Sequence, residues 1–227
     1  MPLAGVIFDF DGVLADSEPL HLRAFQAALA PGGHTLDERT YYDRYLGFDD
    51  IGVFRSVARD QGWGLDEHEL AALVAAKGSR FELFVHEGEA LFPGAADCVR
   101  RVAAEVPIAI ASGALGPEIE ALLTAAGLRP LFKAIVASGD TPRSKPAPDP
   151  YLRAAERLRP HVTHPDEEVC FVAIEDSRWG ITSALDAGLR CLGVAQTYPA
   201  EQLTAAHAVV PAIADVDLDL LRHLCSG

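Results

Sequence analysis

Residues 4–14 read AGVIFDFDGVL, and this stretch decides the fold. Its apolar half, residues 4–8, is short and rich in branched and aromatic side chains, which is typical of a strand buried on both faces of a parallel sheet. The strand ends at Asp9 and Asp11, and ligands of open parallel sheets bind where strands end at their carboxyl edge. We therefore expect a functional site at these acids. A plain turn, with an aspartate capping backbone amides and Gly12 at positive φ, is the alternative.

Five more short apolar runs follow downstream, the last of them weaker, and helical patterns lie between them. One helical pattern begins at Pro117 and ends at Gly127, a second begins at Pro150, and a third covers residues 177–187. Strands that alternate with helices over this length predict an α/β fold, a Rossmann-like parallel sheet core with helices on both faces. The predicted strands cover residues 107–111, 134–137, 169–174, 191–195 and 208–210.

Residues 17–88 break this alternation because they contain helical patterns and no strand pattern. We predict an α-helical cap domain over residues 17–88, inserted into a core domain of residues 1–16 and 89–227. Two short connectors that carry an inserted bundle are typical of a lid that closes over a site. A rigid helical decoration is the alternative. The helical patterns cover residues 20–30, 36–46, 50–60 and 66–85.

The 227 residues carry a formal net charge of −14. Nucleic acids and anionic membranes bind basic patches, so neither is expected as a partner. No apolar run approaches the roughly 18 residues of a membrane span, and no secretory signal pattern is visible. Cys98, Cys170 and Cys191 lie in apolar or helical patterns without zinc-type spacing, which predicts buried, reduced thiols. We expect a cytoplasmic protein, a monomer or a weak homodimer.

Three more polar clusters follow predicted strands, so we expect them at the same sheet edge as Asp9. Ser112 and Gly113 offer a hydroxyl and backbone amides that suit an anion, with a simple turn as the alternative. Lys145 lies in the segment SKPAPDP, residues 144–150, whose prolines lower the entropy cost of fixing the lysine. A solvated surface charge is the alternative for Lys145.

Glu175 and Asp176 form the third cluster, after the strand predicted at residues 169–174. One of these acids serving as the N-cap of the next helix is the simple interpretation. Together with Asp9 and Asp11, however, they place four carboxylates at one edge, and these would repel one another without a cation. Mg²⁺ is a hard, oxygen-seeking ion that fits, with phosphate and water completing its shell.

The order of these motifs resembles the haloacid dehalogenase superfamily along the whole chain. Each motif is weak alone, whereas four in order at the expected strand ends are specific. The helical insert and the sequence LADSEPLH of residues 14–21 look like the branch that contains β-phosphoglucomutase and small phosphosugar phosphatases. The matching residues are Asp9, Asp11, Ser112, Lys145 with Pro146, and Glu175 with Asp176.

The resemblance implies a Mg²⁺-dependent phosphatase acting on a small phosphorylated metabolite, such as a sugar or polyol monophosphate. By resemblance, Asp9 is the nucleophile that becomes an aspartyl phosphate, and Asp11 protonates the leaving oxygen and then activates water. Family dehalogenases lack an acid at the position of Asp11, so its presence favours phosphate chemistry. The implied phosphoryl ligands are Ser112, Gly113 and Lys145; the implied metal ligands are Asp9, the backbone carbonyl of Asp11, Asp176 and, in or beside the shell, Glu175.

Substrate selection is expected in the predicted cap domain, with Glu18, His21 and Lys77 as candidates. By resemblance, His21 matches a histidine that controls the acid/base aspartate, and Lys77 matches a basic cap position of the mutases. Mutases also place a cap arginine a few residues beyond the equivalent of Gly47, where it binds a second phosphate.

Here the neighbourhood of that arginine holds Asp49 and Asp50 instead. Each acid would repel a second phosphate by around 1 kcal/mol or more at close range, unless Arg44 or Arg80 compensates. Hydrolysis of a monophosphate is therefore favoured. The runner-up is a β-phosphoglucomutase-like mutase, and a catalytically silent protein that binds phosphorylated ligands comes third.

Overall fold

The computed structural model of the chain describes residues 1–45, 48–86, 90–163 and 168–226. The chain divides into two compact units, which we call the core unit (Met1–Asp16 with Ala90–Gly227) and the helical unit (Ser17–Glu89). The domain boundary predicted at residues 88 and 89 lies outside the described residues.

Helices form the helical unit, and strands alternate with helices in the core unit. The helices of the helical unit are α1 (Glu18–Leu29), α2 (Glu38–Thr40), α3 (Asp50–Gln61) and α4 (Glu67–His86). The helices of the core unit are α5 (Ala95–Ala103), α6 (Gly116–Ala125), α7 (Asp149–Leu158), α8 (Arg178–Asp186) and α9 (Leu218–Leu224). Its strands are β1 (Leu3–Phe8), β2 (Ile108–Ala111), β3 (Phe132–Val136), β4 (Cys170–Glu175), β5 (Arg190–Val194) and β6 (Ala208–Val210).

The six strands form one parallel sheet in the order β3-β2-β1-β4-β5-β6, which confirms the predicted α/β class. The order reverses beside β1, and crevices form at the carboxyl edge of such sheets at this point. Phe8, the last residue of β1, is in register with Ile110 of β2 and Ile174 of β4. The chain segments that follow these strands therefore begin at a common level of the sheet.

The sheet packs against helices that the sequence predicted only in part. Tyr151 and Leu158 of α7 and Ile181 of α8 are buried in one apolar cluster with strand residues. Helices α6, α7 and α8 correspond to the predicted helical patterns. Helices α5 and α9 were not predicted, although the buried residues Cys98, Val99 and Val102 of α5 stand at helical spacing.

The helical unit has an apolar core of its own, in which Phe25 and Phe54 are buried. The predicted helices at residues 20–30, 50–60 and 66–85 correspond to α1, α3 and α4. The helical pattern predicted over residues 36–46 is confirmed in part, since the segment is helical but not one regular α-helix. The short helix α2 continues instead as a π-helix, Tyr41–Tyr45, whose two terminal tyrosines are both buried. Leu46, the last residue of that prediction, lies outside the described residues.

The two segments that connect the core unit to the insert run side by side. Ala15 and Leu91 form an antiparallel bridge. Asp16 N donates to Ala90 O at 2.9 Å, and Phe92 N donates to Leu14 O at 3.0 Å. The chain therefore leaves and re-enters the core unit through a short paired stem.

The prediction of reduced thiols is correct for Cys98 and Cys191, which are free and buried, and wrong for Cys170. Cys170 forms a disulfide with Cys225, with a Cα–Cα separation of 5.7 Å. Their sequence separation of 55 gives no local signal; the fold brings the start of β4 beside the end of α9. This pairing removes the cysteine-based argument for the cytoplasm, which stays a prediction. Among the described helices, none combines the length and the apolar character needed to cross a membrane.

Candidate active site

Asp9 directly follows β1 and is 8% exposed. Its backbone N–H donates to Ile174 O at 2.9 Å, which extends the β1–β4 ladder by one residue. Its Oδ1 accepts a hydrogen bond from Phe10 N at 2.7 Å, and Gly12 has a φ of +79°. These are the features of the plain-turn alternative. The same Oδ1, however, also lies 2.9 Å from Lys145 Nζ, so the turn presents a carboxylate to a mostly buried cation.

Lys145 is held between two acids and is not a solvated surface charge. Its side chain is 13% exposed, and Nζ lies 2.9 Å from Asp9 Oδ1 and 2.6 Å from Glu175 Oε1. Burial alone would lower the pKa of Lys145, but the charges of Asp9 and Glu175 outweigh it and the pKa is raised. The lysine therefore stays charged across the physiological range.

Glu175 is fully buried at the end of β4, and it does not cap the following helix. Ser177 is the N-cap of α8, because its side chain accepts from Gly180 N at 3.1 Å. Glu175 Oε1 accepts from Lys145 and also from the Tyr151 hydroxyl at 2.8 Å. The simple N-cap interpretation of these acids is therefore wrong. Sequence reasoning missed Tyr151, which stands in an apolar helical pattern.

Asp9, Glu175 and Asp176 each offer a carboxylate oxygen within 4.8 Å of the others. All three residues are buried. Burial raises the pKa of Asp9 well above its ordinary range although Lys145 opposes this, and burial together with the Glu175 charge raises the pKa of Asp176 to about 7. One lysine cannot balance three acids, and hard cations take carboxylate oxygens. This donor set fits a divalent metal ion.

Asp11 does not contribute an oxygen to the group of three carboxylates. Its backbone, however, is held in a fixed loop next to Asp9. Asp11 forms a bridge with Ala15, and Gly12 N donates to Ala15 O at 2.9 Å. A Cβ at Gly12 would overlap the Asp176 carboxylate. Only glycine therefore allows this loop to approach Asp176 so closely at positive φ.

Two residues after β5 hold the same loop and were not predicted. The amide nitrogen of Gln196 donates to Gly12 O and Val13 O, both at 2.9 Å, and its Oε1 accepts from Ile213 N at 3.0 Å. The Thr197 hydroxyl donates to Gly12 O at 3.2 Å. Gly12 and Val13 are more than 180 residues away from these two residues in sequence, so no local pattern indicates the contacts with the loop.

Ser112 and Gly113 directly follow β2, as predicted. Ser112 is buried, and its Oγ accepts from Ala114 N at 3.0 Å, which leaves the hydroxyl proton able to donate. Gly113 is exposed, and a Cβ there would meet open space. The Ser112 turn therefore holds a donor at the strand end that neighbours Asp9.

In the helical unit, Lys77 is 2% exposed and lies in a small polar cluster. Its Nζ is 2.8 Å from Asp50 Oδ1 and 2.8 Å from His21 Nδ1. Because an ammonium group can only donate, His21 Nδ1 accepts, and Nε2 carries the ring proton. Burial and the Lys77 charge lower the pKa of His21 to about 3. Glu18 accepts from the Tyr41 hydroxyl at 2.7 Å, so the three cap candidates are all bonded within this unit.

Asp49 and Asp50, which stand where the mutases carry a cap arginine, also have partners in this unit. Asp49 is the N-cap of α3 and accepts from Gly52 N at 2.7 Å, while Asp50 pairs with Lys77. Arg44 pairs with Asp60 at 2.7 Å, and Arg80 is exposed on α4. Gly47 lies outside the described residues.

A parallel sheet that gathers three acids and a lysine at its carboxyl edge, with a helical insert after the first strand, defines a class of α/β hydrolases. Residues 3–188 match the family model of the haloacid dehalogenase-like hydrolases, and the chain belongs to this family. The superfamily recognised from the sequence motifs is thereby confirmed.

Among its relatives, the protein CbbY of Rhodobacter capsulatus is 33% identical over 200 residues, covering 84% of each chain. The fructose-1-phosphate phosphatase YqaB of Escherichia coli is 30% identical, over 84% of this chain and 96% of that protein. A crystal structure of a point mutant of CbbY from Rhodobacter sphaeroides in complex with xylulose-1,5-bisphosphate has a TM-score of 0.74 and 29% identity, covering 97% of this chain and 99% of that one. The family and its named phosphatases support phosphatase activity.

Proposed function

We propose that this protein is a Mg²⁺-dependent phosphatase that hydrolyses a sugar or polyol monophosphate through an aspartyl phosphate on Asp9. The observation that carries the proposal is the group of three buried carboxylates around Lys145. Phosphoryl transfer needs in-line positioning and charge neutralisation more than elaborate covalent chemistry. Buried acids with one lysine supply both, once a cation is added.

In the proposed mechanism, an oxygen of Asp9 attacks phosphorus and the bond to the sugar oxygen breaks. Asp11 gives its proton to that oxygen, then takes a proton from the water that attacks the aspartyl phosphate and releases Asp9. Lys145, Ser112 and the Gly113 amide hold the phosphoryl oxygens. Asp9, Asp176, the Asp11 carbonyl and Glu175 would hold Mg²⁺, which supplies charge neutralisation.

Charge pairing in the helical unit supports a monophosphate over a mutase bisphosphate. Lys77 is compensated by Asp50 and Arg44 by Asp60, so neither offers an uncompensated charge to a second phosphate. Because Lys77 also neutralises Asp50, the repulsion of a second phosphate that was expected from the sequence does not support this preference. The preference rests instead on the pairing of the basic side chains. We propose that Glu18, His21 and Lys77 contribute to substrate selection. The related fructose-1-phosphate phosphatase favours the same substrate class, whereas the bisphosphate bound by CbbY makes a sugar bisphosphate the substrate to test against it.

The test is phosphate release from sugar, polyol and glycolate-type monophosphates and a ketose bisphosphate, each with Mg²⁺ and with EDTA. We expect Mg²⁺-dependent release confined to a few monophosphates. Asp9→Asn should keep the fold by circular dichroism and lose at least about 10³-fold in kcat, because it removes the nucleophile. Asp186→Asn, at an exposed residue at the end of α8, is the matched control. Isomerisation of a bisphosphate-primed substrate without release would favour the mutase, and binding without turnover would favour the silent protein.

A further inference from the structure

Tyr151 is the largest of the fully buried side chains in the core unit, and its hydroxyl lies inside the charge network. The hydroxyl donates to Glu175 Oε1 at 2.8 Å. Lys145 Nζ is 3.5 Å from the same hydroxyl oxygen and 4.9 Å from the centre of the tyrosine ring. A phenylalanine would fill this apolar position equally well, so packing does not explain the hydroxyl.

Glu175 requires several donors because it is a charged group with no exposure to solvent. Its Oε2 accepts from Ser177 N at 3.3 Å and from the Ser177 hydroxyl at 3.2 Å, both at the long end of the hydrogen-bond range. Its Oε1 accepts from Lys145 at 2.6 Å and from Tyr151 at 2.8 Å. Tyr151 is therefore the one short, uncharged donor to this carboxylate among the described residues.

Lys145 is shared between Asp9 and Glu175, so a stronger contact with one acid weakens its contact with the other. Its Nζ is closer to Glu175 (2.6 Å) than to Asp9 (2.9 Å). Without the tyrosine hydroxyl, Glu175 Oε1 would depend on the lysine alone. The ammonium group would then move toward Glu175 and away from Asp9.

We infer that Tyr151 is a positioning residue: its hydroxyl satisfies part of the demand of Glu175 and so leaves Lys145 directed toward Asp9 and a phosphoryl oxygen. The inference rests on the proposed role of Lys145 as a phosphoryl ligand. Tyr151 acts through Lys145 and does not itself touch the substrate. The segment between the two residues is short and rich in proline, which keeps them at a fixed separation.

The test is Tyr151→Phe, which keeps the ring and removes only the hydroxyl. We expect the affinity for inorganic phosphate and for orthovanadate, measured by calorimetry with Mg²⁺, to fall about fivefold to tenfold, the size expected for weakening one charge-assisted hydrogen bond. KM for the substrate should rise by a similar factor. Tyr45→Phe is the matched control, because its hydroxyl also donates to an acid, Asp60 at 2.6 Å, within the helical unit. It should leave phosphate affinity unchanged.

A crystal structure of Tyr151→Phe gives a second measurement that does not depend on activity. We expect the Lys145–Asp9 separation to lengthen while the Lys145–Glu175 contact remains. Unchanged separations, or a phosphate affinity within twofold of wild type, would overturn the inference. If the wild-type protein neither binds nor releases phosphate, the proposed function fails, and the two separations still decide whether Tyr151 positions Lys145.

Discussion

Lys145 in the core unit and Lys77 in the helical unit are both largely withdrawn from solvent, and the surroundings of the two lysines differ in charge balance. Lys145 in the core unit contacts Asp9 and Glu175 and lies in a group of three acids, which leaves a surplus of negative charge. Lys77 in the helical unit contacts one acid, Asp50, and a neutral histidine, which leaves none. Asp50 also keeps contact with solvent, since its side chain is 35% exposed.

This difference separates a group of side chains that calls for a cation from one whose charges already balance. Buried charge of one sign is costly unless an ion of the other sign joins it, so the surplus in the core unit predicts a cation. The balanced cluster around Lys77 is complete without one. The ring centres of Phe25 and Phe81 also lie within 5.2 Å of Lys77 Nζ. Aromatic rings therefore take the place that a second acid has beside Lys145.

The largest expected effect comes from replacing each lysine by methionine. Lys145→Met leaves three buried acids uncompensated, and we expect it to lower the free energy of unfolding in EDTA by about 3–5 kcal/mol. Lys77→Met leaves one half-exposed acid, which can turn to water, and should cost about 1–2 kcal/mol. Urea unfolding of both variants measures the difference.

Mg²⁺ provides the control for this comparison. A cation bound by the acids of the core unit stabilises wild type and both variants, so each loss is taken relative to wild type under the same condition. Mg²⁺ should reduce the loss in Lys145→Met and leave the loss in Lys77→Met unchanged. Equal losses in EDTA, or losses relative to wild type that Mg²⁺ changes equally, would mean that the charge surplus does not distinguish the two lysines.

The next effect, smaller, concerns one helical glycine in each unit. A Cβ at Gly180 of α8 would overlap the Glu175 carboxylate, which Lys145 and Tyr151 hold in place. We expect Gly180→Ala to cost about 1–3 kcal/mol, as overpacking does. Gly78 of α4 has open space at the same position, so Gly78→Ala should stabilise by about 0.5–1 kcal/mol through the helical preference of alanine. Thermal unfolding of both variants gives the signs.

Phosphate affinity shows whether the Gly180 effect reaches the site. It should fall in Gly180→Ala, because Glu175 is displaced against Lys145, and stay unchanged in Gly78→Ala. A stabilised Gly180→Ala protein with normal phosphate affinity would show that Glu175 is free to move, contrary to its three partners.

The sequence predicted the parts of the site that follow from strand ends. Asp9, Lys145 and Asp176 were found because parallel strands end at one edge, and proximity then follows from topology. Tyr151 was missed because a tyrosine at a buried helical position has the same pattern as a core residue. The pairing of Cys170 with Cys225 and the contacts of Gln196 with the Gly12 loop depend on tertiary neighbours far apart in the chain. The π-helix Tyr41–Tyr45 was missed because its apolar spacing also suits an α-helix.

The last expected effect is a pH dependence in the helical unit. The pKa of His21 is lowered to about 3 in the folded protein by burial and by Lys77, against about 6.5 when unfolded. Below pH 6.5 the unfolded chain binds a proton at His21 that the folded protein does not. Stability that is fully present above pH 6.5 is therefore lost as the pH falls from 6.5 toward 3, by at most about 1.4 kcal/mol per pH unit. His21→Gln should remove this contribution.

Urea unfolding of wild type and His21→Gln between pH 7 and pH 5 measures the contribution of His21 as the difference in stability between the two proteins. Asp176, whose pKa is raised to about 7 in the metal-free fold, contributes the opposite slope, because a buried acid with a raised pKa loses stability as the pH rises. That slope is common to wild type and His21→Gln, so it cancels. His68→Gln, at an exposed residue of α4, controls for the loss of any histidine. If His21→Gln and wild type lose stability in parallel, His21 accepts a proton in the fold, and the Lys77 cluster is not the balanced one described above.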